Sequence, residues 1–212
     1  MSELLRYNKE QKYICWDFET CNLNLQTLDN KPWQLSYIIA QNNQILEESD
    51  NYIWWEDLKI SEDAARITHF DYNKYKRLAQ DPLPILNKFE EKLFNPEYRL
   101  VGQNLIQFDV YILQIYRRLM GLQPNYKFIE RIIDTMCLAK AIKKGIKINK
   151  EEDLTCLMYK LAHLHEKGLK TSIATQLKEQ KIDHDPMMLH NSLYDVRMNW
   201  EIFKRQIWQI EI

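Results

Sequence analysis

Residues 11–20 read QKYICWDFET, and their alternation decides the fold. Successive side chains on an extended backbone point to opposite sides. Ile14, Trp16 and Phe18 therefore share one face of a strand, and Tyr13, Cys15, Asp17 and Glu19 share the other. The second face is unusual, because Asp17 and Glu19 stand two apart with no basic residue between them. Like charges so placed are unfavourable unless a cation sits between them, and hard divalent ions such as Mg²⁺ and Mn²⁺ prefer oxygen ligands.

Working outward from that strand, WQLSYIIA (33–40) and QILEESDNYIWW (44–55) read as a second and third strand, joined by a turn at Gln41-Asn42-Asn43. A short helix is predicted over 61–67 and a longer one over 82–94, with a proline near its start. A buried strand follows over 98–103, then a helix over 105–121 capped by Asn104 and ended by Gly121. Residues 129–135 suit a strand that continues into a helix reaching Gly145, and 151–165 and 171–180 suit two more helices. From Ser192 onward, Leu193, Val196, Trp200, Phe203, Ile207 and Ile210 recur at steps of three and four, the stripe of a long amphipathic helix. This order predicts an α/β fold. An antiparallel three-strand meander and two parallel strands form one mixed β-sheet flanked by α-helices.

Composition bounds the rest. The 212 residues are 45% hydrophobic and 28% charged, with four glycines and six prolines, an ordinary globular mixture suited to a single domain over 1–212. No apolar run approaches the roughly 20 residues that span a bilayer, and the polar start MSELLRYNKEQKY lacks the apolar core of a signal peptide. Cys15, Cys21, Cys137 and Cys156 show no CxxC spacing. The expectation is a cytoplasmic protein with no membrane partner. Net charge is −1, but Lys140–Lys170 holds eight lysines against four acids, a local balance of +4 that leaves −5 for the remainder. Five of the eight lysines, with all four acids, fall in a lysine-rich helical insertion at about 145–170. Lys143, Lys144 and Lys147 are candidates for touching phosphates; a solvated helix face is the plainer alternative.

Three further residues complete an acidic set: Asp109 in LVGQNLIQFDVYIL, and His190 with Asp195 in LHNSLYDVRMNWEIF. Each has an ordinary structural alternative. Asp109 could cap a helix or lie on the surface, His190 could end a loop, and Ser192-Leu193-Tyr194-Asp195 fits a capping box. Together they offer carboxylates from separate elements, which is what a pair of divalent ions needs to clamp a phosphodiester. If His190 and Asp195 serve one site, His190 must precede the helix and Asp195 lie in its first turn, because an α-helix turns about 100° per residue.

The combination resembles the DEDD superfamily of 3′-to-5′ exonucleases, in its histidine-bearing (DEDDh) branch. The Asp-x-Glu-Thr motif stands as DFET at Asp17 to Thr20, the Asn and Phe-Asp motif as GQNLIQFD with Asn104, Phe108 and Asp109, and the His and Asp motif as HNSLYD at His190 to Asp195. RITHFD resembles the segment that lies against the terminal nucleotide, and IIDTMCLAK the Asp-Thr strand end. The sequence departs from the common pattern with Gln103 in place of a histidine, Ser192 in place of an alanine, and His69 in place of a glycine. The resemblance covers about residues 10 to 208. It implies a ribonuclease-H-like fold and 3′-to-5′ hydrolysis with release of nucleoside monophosphates, using two Mg²⁺ or Mn²⁺ ions. Asp17, Glu19 and Asp195 would hold the first ion, and Asp17 with water around Asp109 the second. His190 would act as general base. Thr20 and Leu23 would contact the 3′-terminal nucleotide, Ile67 and Thr68 its base, and Asn104 and Phe108 also count among the substrate positions. The implied partner is nucleic acid, DNA or RNA, with a free single-stranded 3′ end, with a polymerase or replication protein acting in trans. The rival functions are a catalytically silent nucleic-acid-binding module of the same fold, and a small-molecule or dinucleotide phosphodiesterase.

Overall fold

A computed structural model describes residues 10–147 and 152–210. Strand β1 (Lys12–Thr20) lies at the centre of a five-stranded sheet of order β3-β2-β1-β4-β5. β2 (Pro32–Gln41) and β3 (Gln44–Tyr52) complete the antiparallel meander, and β4 (Tyr98–Gly102) and β5 (Ile132–Asp134) add in parallel on the other side. The hairpin turns through Asn42 and Asn43, both at positive φ, the backbone that matches strand twist in a two-residue turn.

The two faces of β1 carry different loads. Trp16 and Phe18 pack against Phe89 of α3 (Pro82–Leu93), and Phe18 also meets Tyr116 of α4 (Asp109–Leu119). On the opposite face Tyr13 packs edge-on against Phe203 and beside Trp200, both on α8 (Ser192–Gln206). Helix α5 (Thr135–Lys144) lies beside α8, and α6 (Leu154–Ala162) packs on α5 through Leu157, Met158 and Leu161. Two short helices, α1 (Glu62–Ile67) and α2 (Tyr72–Leu78), follow the meander, and α7 (Ile173–Glu179) precedes α8. Among the described residues no helix is long and apolar enough to cross a membrane.

Four boundaries differ from the sequence reading. The helix expected over 105–121 begins only at Asp109, and Asn104 does not cap it. Buried Asp134 accepts hydrogen bonds from the backbone N–H of Asn104 at 2.9 Å and of Ile106 at 3.2 Å, which folds 103–107 into a turn instead. Gly102 makes that turn possible, since a Cβ there would lie 2.5 Å from Leu105. The strand expected over 129–135 is shortened by a 3₁₀ turn at Ile129–Arg131, where the Arg131 guanidinium holds the carbonyls of Asn95 and Tyr98, each at 2.8 Å. β3 ends at Tyr52 rather than at residue 55: the Ile53 N–H still reaches the Trp33 carbonyl of β2, but Tyr52 and Trp54 turn their other backbone groups to Gln80. Helix α2 was not foreseen: its seven residues are too few for a periodic signal. The helix expected over 151–165 starts at residue 151, which lies outside the described residues; the described helix is the shorter α6, capped by Asp153 and ended at Ala162.

Candidate active site

Asp17 and Glu19 stand near the C-terminal end of β1, and their register partners on β2 are Ser36 and Gln34. Both are half-buried. Asp109 opens α4 and is 2% exposed, with one carboxylate oxygen accepting the Phe18 N–H at 3.0 Å. That bond ties it to the backbone between the two β1 acids. Asp195 comes from the first turn of α8, where one oxygen accepts the His190 N–H at 3.1 Å and the other, Oδ1, is buried with no hydrogen-bond partner. The Ser192 hydroxyl, also in that turn, donates to the Asp17 carbonyl at 3.2 Å and so fastens α8 to β1.

The electrostatics follow from this packing. Burial is the largest cause pushing the Asp17 carboxyl well above its ordinary range, followed by the charges of Asp109, Glu19 and Asp195. Glu19 is pushed up in the same way by burial, then by Asp195 and Asp109. Burial raises Asp109 to about 8 against the opposing Phe18 hydrogen bond. Asp195 rises to about 7, again through burial, with the His190 N–H opposing. Two unit charges about 4 Å apart at an effective dielectric near 20 repel by about 4 kcal/mol. The cluster is therefore unfavourable as four anions without a cation or protons. None of the four forms an ion pair with a lysine or arginine among the described residues. As the side chains stand, no three His, Cys, Asp or Glu groups among the described residues are drawn tightly enough to hold an ion. The donor set nevertheless fits hard divalent ions, being all carboxylate, uncompensated, and with one buried oxygen of Asp195 orphaned.

His190 lies in the loop before α8 at φ +68, and Asn191 is the N-cap, accepting the Tyr194 N–H. The capping-box alternative for Ser192 and Asp195 is thus replaced by an Asn191 cap. Burial lowers the His190 imidazole below its ordinary range, and nearby His69 adds to the effect. His190 borders two cavities. One of about 200 Å³ is shared with Thr68, His69 and Lys74, and one of about 450 Å³ with Asn104, Ile173 and Asp195. His69, Asn104 and His190 are all non-glycine residues at positive φ. Such backbone costs roughly 1–3 kcal/mol and persists where the surroundings over-determine it.

The remaining candidates are scattered. Thr20 is buried and donates to the Asn22 carbonyl at 2.8 Å, whereas Leu23 is 83% exposed. Ile67 ends α1 on the surface, and Thr68 caps that helix, donating to Ala64. Asn104 and half-buried Phe108 frame the turn before Asp109, with Asn104 Oδ1 buried and unpartnered. Of the three lysines, Lys143 pairs with Glu179 and reaches the Lys170 carbonyl, and Lys144 pairs with Glu166. Lys147 is exposed and has no partner among the described residues. The residue the sequence reading undervalued is Asp134, which receives the N–H groups of Asn104, Ile106 and Met136 and rises to about 6 through burial, against those bonds. An Asp directly before a helix start was the available signal.

This sheet, with its acids gathered from β1, α4 and α8, defines a ribonuclease-H-like exonuclease domain. The chain belongs to the exonuclease family of the RNase T type, whose model matches residues 14–203, and with it to the DEDDh superfamily. Among solved structures it is similar to E. coli exonuclease I bound to a dT13 oligonucleotide, at 14% identity and a TM-score of 0.73, covering 94% of this chain and 42% of that one. A product-bound exonuclease I matches at 15% identity and a TM-score of 0.70, covering 93% of this chain and 45% of that one. A complex of exonuclease I with SSB-Ct matches at 14% identity and a TM-score of 0.70, covering 94% of this chain and 42% of that one. The chain thus spans less than half the length of these structures. No curated protein matches its sequence.

Proposed function

We propose that this exonuclease-family nuclease hydrolyses single-stranded nucleic acid from the 3′ end, releasing nucleoside monophosphates, and depends on two divalent ions, Mg²⁺ or Mn²⁺. The observation that carries the reading is the convergence of Asp17, Glu19, Asp109 and Asp195 close enough to raise one another's pKa, without a cationic partner among the described residues, beside the lowered imidazole of His190. Those four carboxylates would hold the ions, which when bound supply Lewis-acid polarisation of the phosphodiester and acidify the attacking water. His190 takes the proton of that water. Its lowered pKa keeps the imidazole neutral, and so able to accept, at neutral pH. The Asp195 carboxylate fixes the His190 backbone through the N–H bond, which sets the base and the ion site in register. Thr20, Leu23, Ile67, Thr68, Asn104 and Phe108 border the terminal nucleotide. We read 1–212 as one exonuclease domain in which about 145–170 is a lysine-rich helical insertion.

Support for a single-stranded substrate comes from the related structures of exonuclease I with dT13 and dA16 oligonucleotides, and support for a replication partner in trans from the exonuclease I–SSB complex. The test is a gel assay on 5′-labelled oligonucleotides. The label should move down as a ladder with Mg²⁺, stall with EDTA, and stall when the 3′ terminus is blocked. Asp17→Asn should lose several orders of magnitude in turnover and stay folded. Full activity in EDTA, or immediate release of the labelled 5′ nucleotide, would overturn the reading.

A further inference from the structure

Helix α2 is held from beneath by one side chain. Tyr75 is fully buried, and its hydroxyl donates to the Ile53 carbonyl at 2.9 Å and accepts the Trp55 N–H at 2.7 Å. The rest of the helix faces outward, with Tyr72, Lys74, Lys76 and Arg77 all exposed. No acid occurs between Tyr72 and Leu78, and none of these three cations is ion-paired among the described residues. The neighbouring acid, Asp71, is engaged as the helix cap, accepting the N–H groups of Asn73 and Lys74.

Aromatic rings interleave with these charges. Trp54 and Tyr72 each stack on the Tyr75 ring, at interplanar angles of 16° and 20°, and they remain 38% and 53% exposed. The Lys76 ammonium lies 4.7 Å from the centre of the Tyr72 ring, and Lys74 lies 5.2 Å from that of Tyr52. The patch is continuous with the cleft, because Lys74 and His190 line the same cavity of about 200 Å³.

We propose that this face of α2 carries the single strand upstream of the terminal nucleotide, with bases stacking on Trp54 and Tyr72 and phosphates meeting Lys74, Lys76 and Arg77. The inference rests on the exonuclease reading and extends it. A single strand is the polymer this face complements: a polyanion whose bases are free to stack on protein rings, a combination that tolerates any sequence. A duplex keeps its bases stacked on one another and could use only the charges.

The test is fluorescence anisotropy in EDTA, where cleavage stalls, with 5′-fluorescein dT20 and rU20 as probes. The double variant Lys76→Ala/Arg77→Ala should flatten the log–log salt dependence by about 1.4, roughly 0.7 for each lost phosphate contact on a single strand. Tyr72→Ala should weaken dT20 binding by roughly 5- to 150-fold, the range for losing one stacked base. Lys76→Arg/Arg77→Lys should restore the slope, which a merely structural role would not demand, and circular dichroism melts should match the wild type. Binding of dT20 with unchanged affinity and slope would overturn the proposal and leave the patch to a protein partner. So would equal weakening for a blunt duplex by Tyr72→Ala. The ladder assay on the wild type is independent: its failure would sink the exonuclease reading while these binding differences still decided the strand track.

Discussion

At φ +68, His190 occupies left-handed backbone that is uncommon outside glycine, though histidine adopts it more readily than most residues. Its N–H bond to Asp195 and the Asn191 cap hold the loop there. Asparagine tolerates positive φ well, so His190→Asn separates chemistry from strain more cleanly than alanine does. We expect His190→Asn to lose about 10²–10⁴-fold in kcat, to keep its melting temperature, and to lose the acidic limb of the pH–rate profile. A near-normal kcat with that limb intact would show that His190 is not the base. Asp134 presents the opposite case, a residue that acts through others. Its carboxylate gathers three backbone N–H groups and sets the turn before Asp109. Asp134→Ala leaves several buried donors unpaired at about 1–3 kcal/mol each. Chemical denaturation should therefore show a loss of at least about 2 kcal/mol, with metal affinity reduced because Asp109 is no longer held.

Among the elements, α5 and α6 account for most of the lysine excess. The Lys140 ammonium is buried and donates to the carbonyls of Leu161 and Ala162 at 3.0 and 2.9 Å, closing the C-terminal end of α6. Lys143, Lys144 and Lys160 pair with Glu179, Glu166 and Glu152. Four of the eight lysines in the run that reads as a phosphate-binding patch are thus engaged with neighbouring helices and loops. Lys140→Ala should cost about 1–3 kcal/mol in stability, the desolvation penalty of stranded carbonyls, whereas Lys143→Ala and Lys144→Ala should each cost under about 1 kcal/mol as exposed pairs. In salt titrations of oligonucleotide binding, Lys147→Ala should flatten the slope by about 0.7 if that side chain meets a phosphate. Lys143→Ala and Lys144→Ala should change it less. Equal slopes for wild type and Lys147→Ala would leave the whole run structural.

Across the whole molecule, the acid cluster makes stability depend on pH and on metal in a defined direction. Asp109 titrates near 8 and Asp195 near 7, and Asp17 and Glu19 also lie well above their unfolded values. Between about pH 4 and 8 the folded chain therefore binds more protons than the unfolded one, and stability falls as pH rises through that window. The stabilisation relative to the ionised cluster is fully present below about pH 4 and lost by the time the folded groups have titrated. In EDTA, the melting temperature of Asp17→Asn should exceed that of the wild type by a margin that grows from pH 5.5 to 8.5. Mg²⁺ should reverse the order, since an ion at 100 times its Kd adds about 2.7 kcal/mol to the wild type. Scanning fluorimetry of both proteins at both pH values checks this. A margin that shrinks with pH would contradict the cluster.

The meander was legible in QKYICWDFET and the two strands after it, because period-two alternation and an Asn-Asn turn are local signals that the core then rewards. That Asp17, Glu19, Asp109 and Asp195 would come together was legible as well, since acids flanked by apolar neighbours are conspicuous wherever they stand. Tertiary structure decided what local pattern does not encode. Asp134, thirty residues away in sequence, pulls 104–106 out of a helix that their own periodicity favours. Distant glutamates claim lysines that look free in the sequence, and buried Tyr75 stabilises a seven-residue helix too short to announce itself. In each instance a long-range hydrogen bond or ion pair outweighed a local preference worth a few tenths of a kcal/mol per residue.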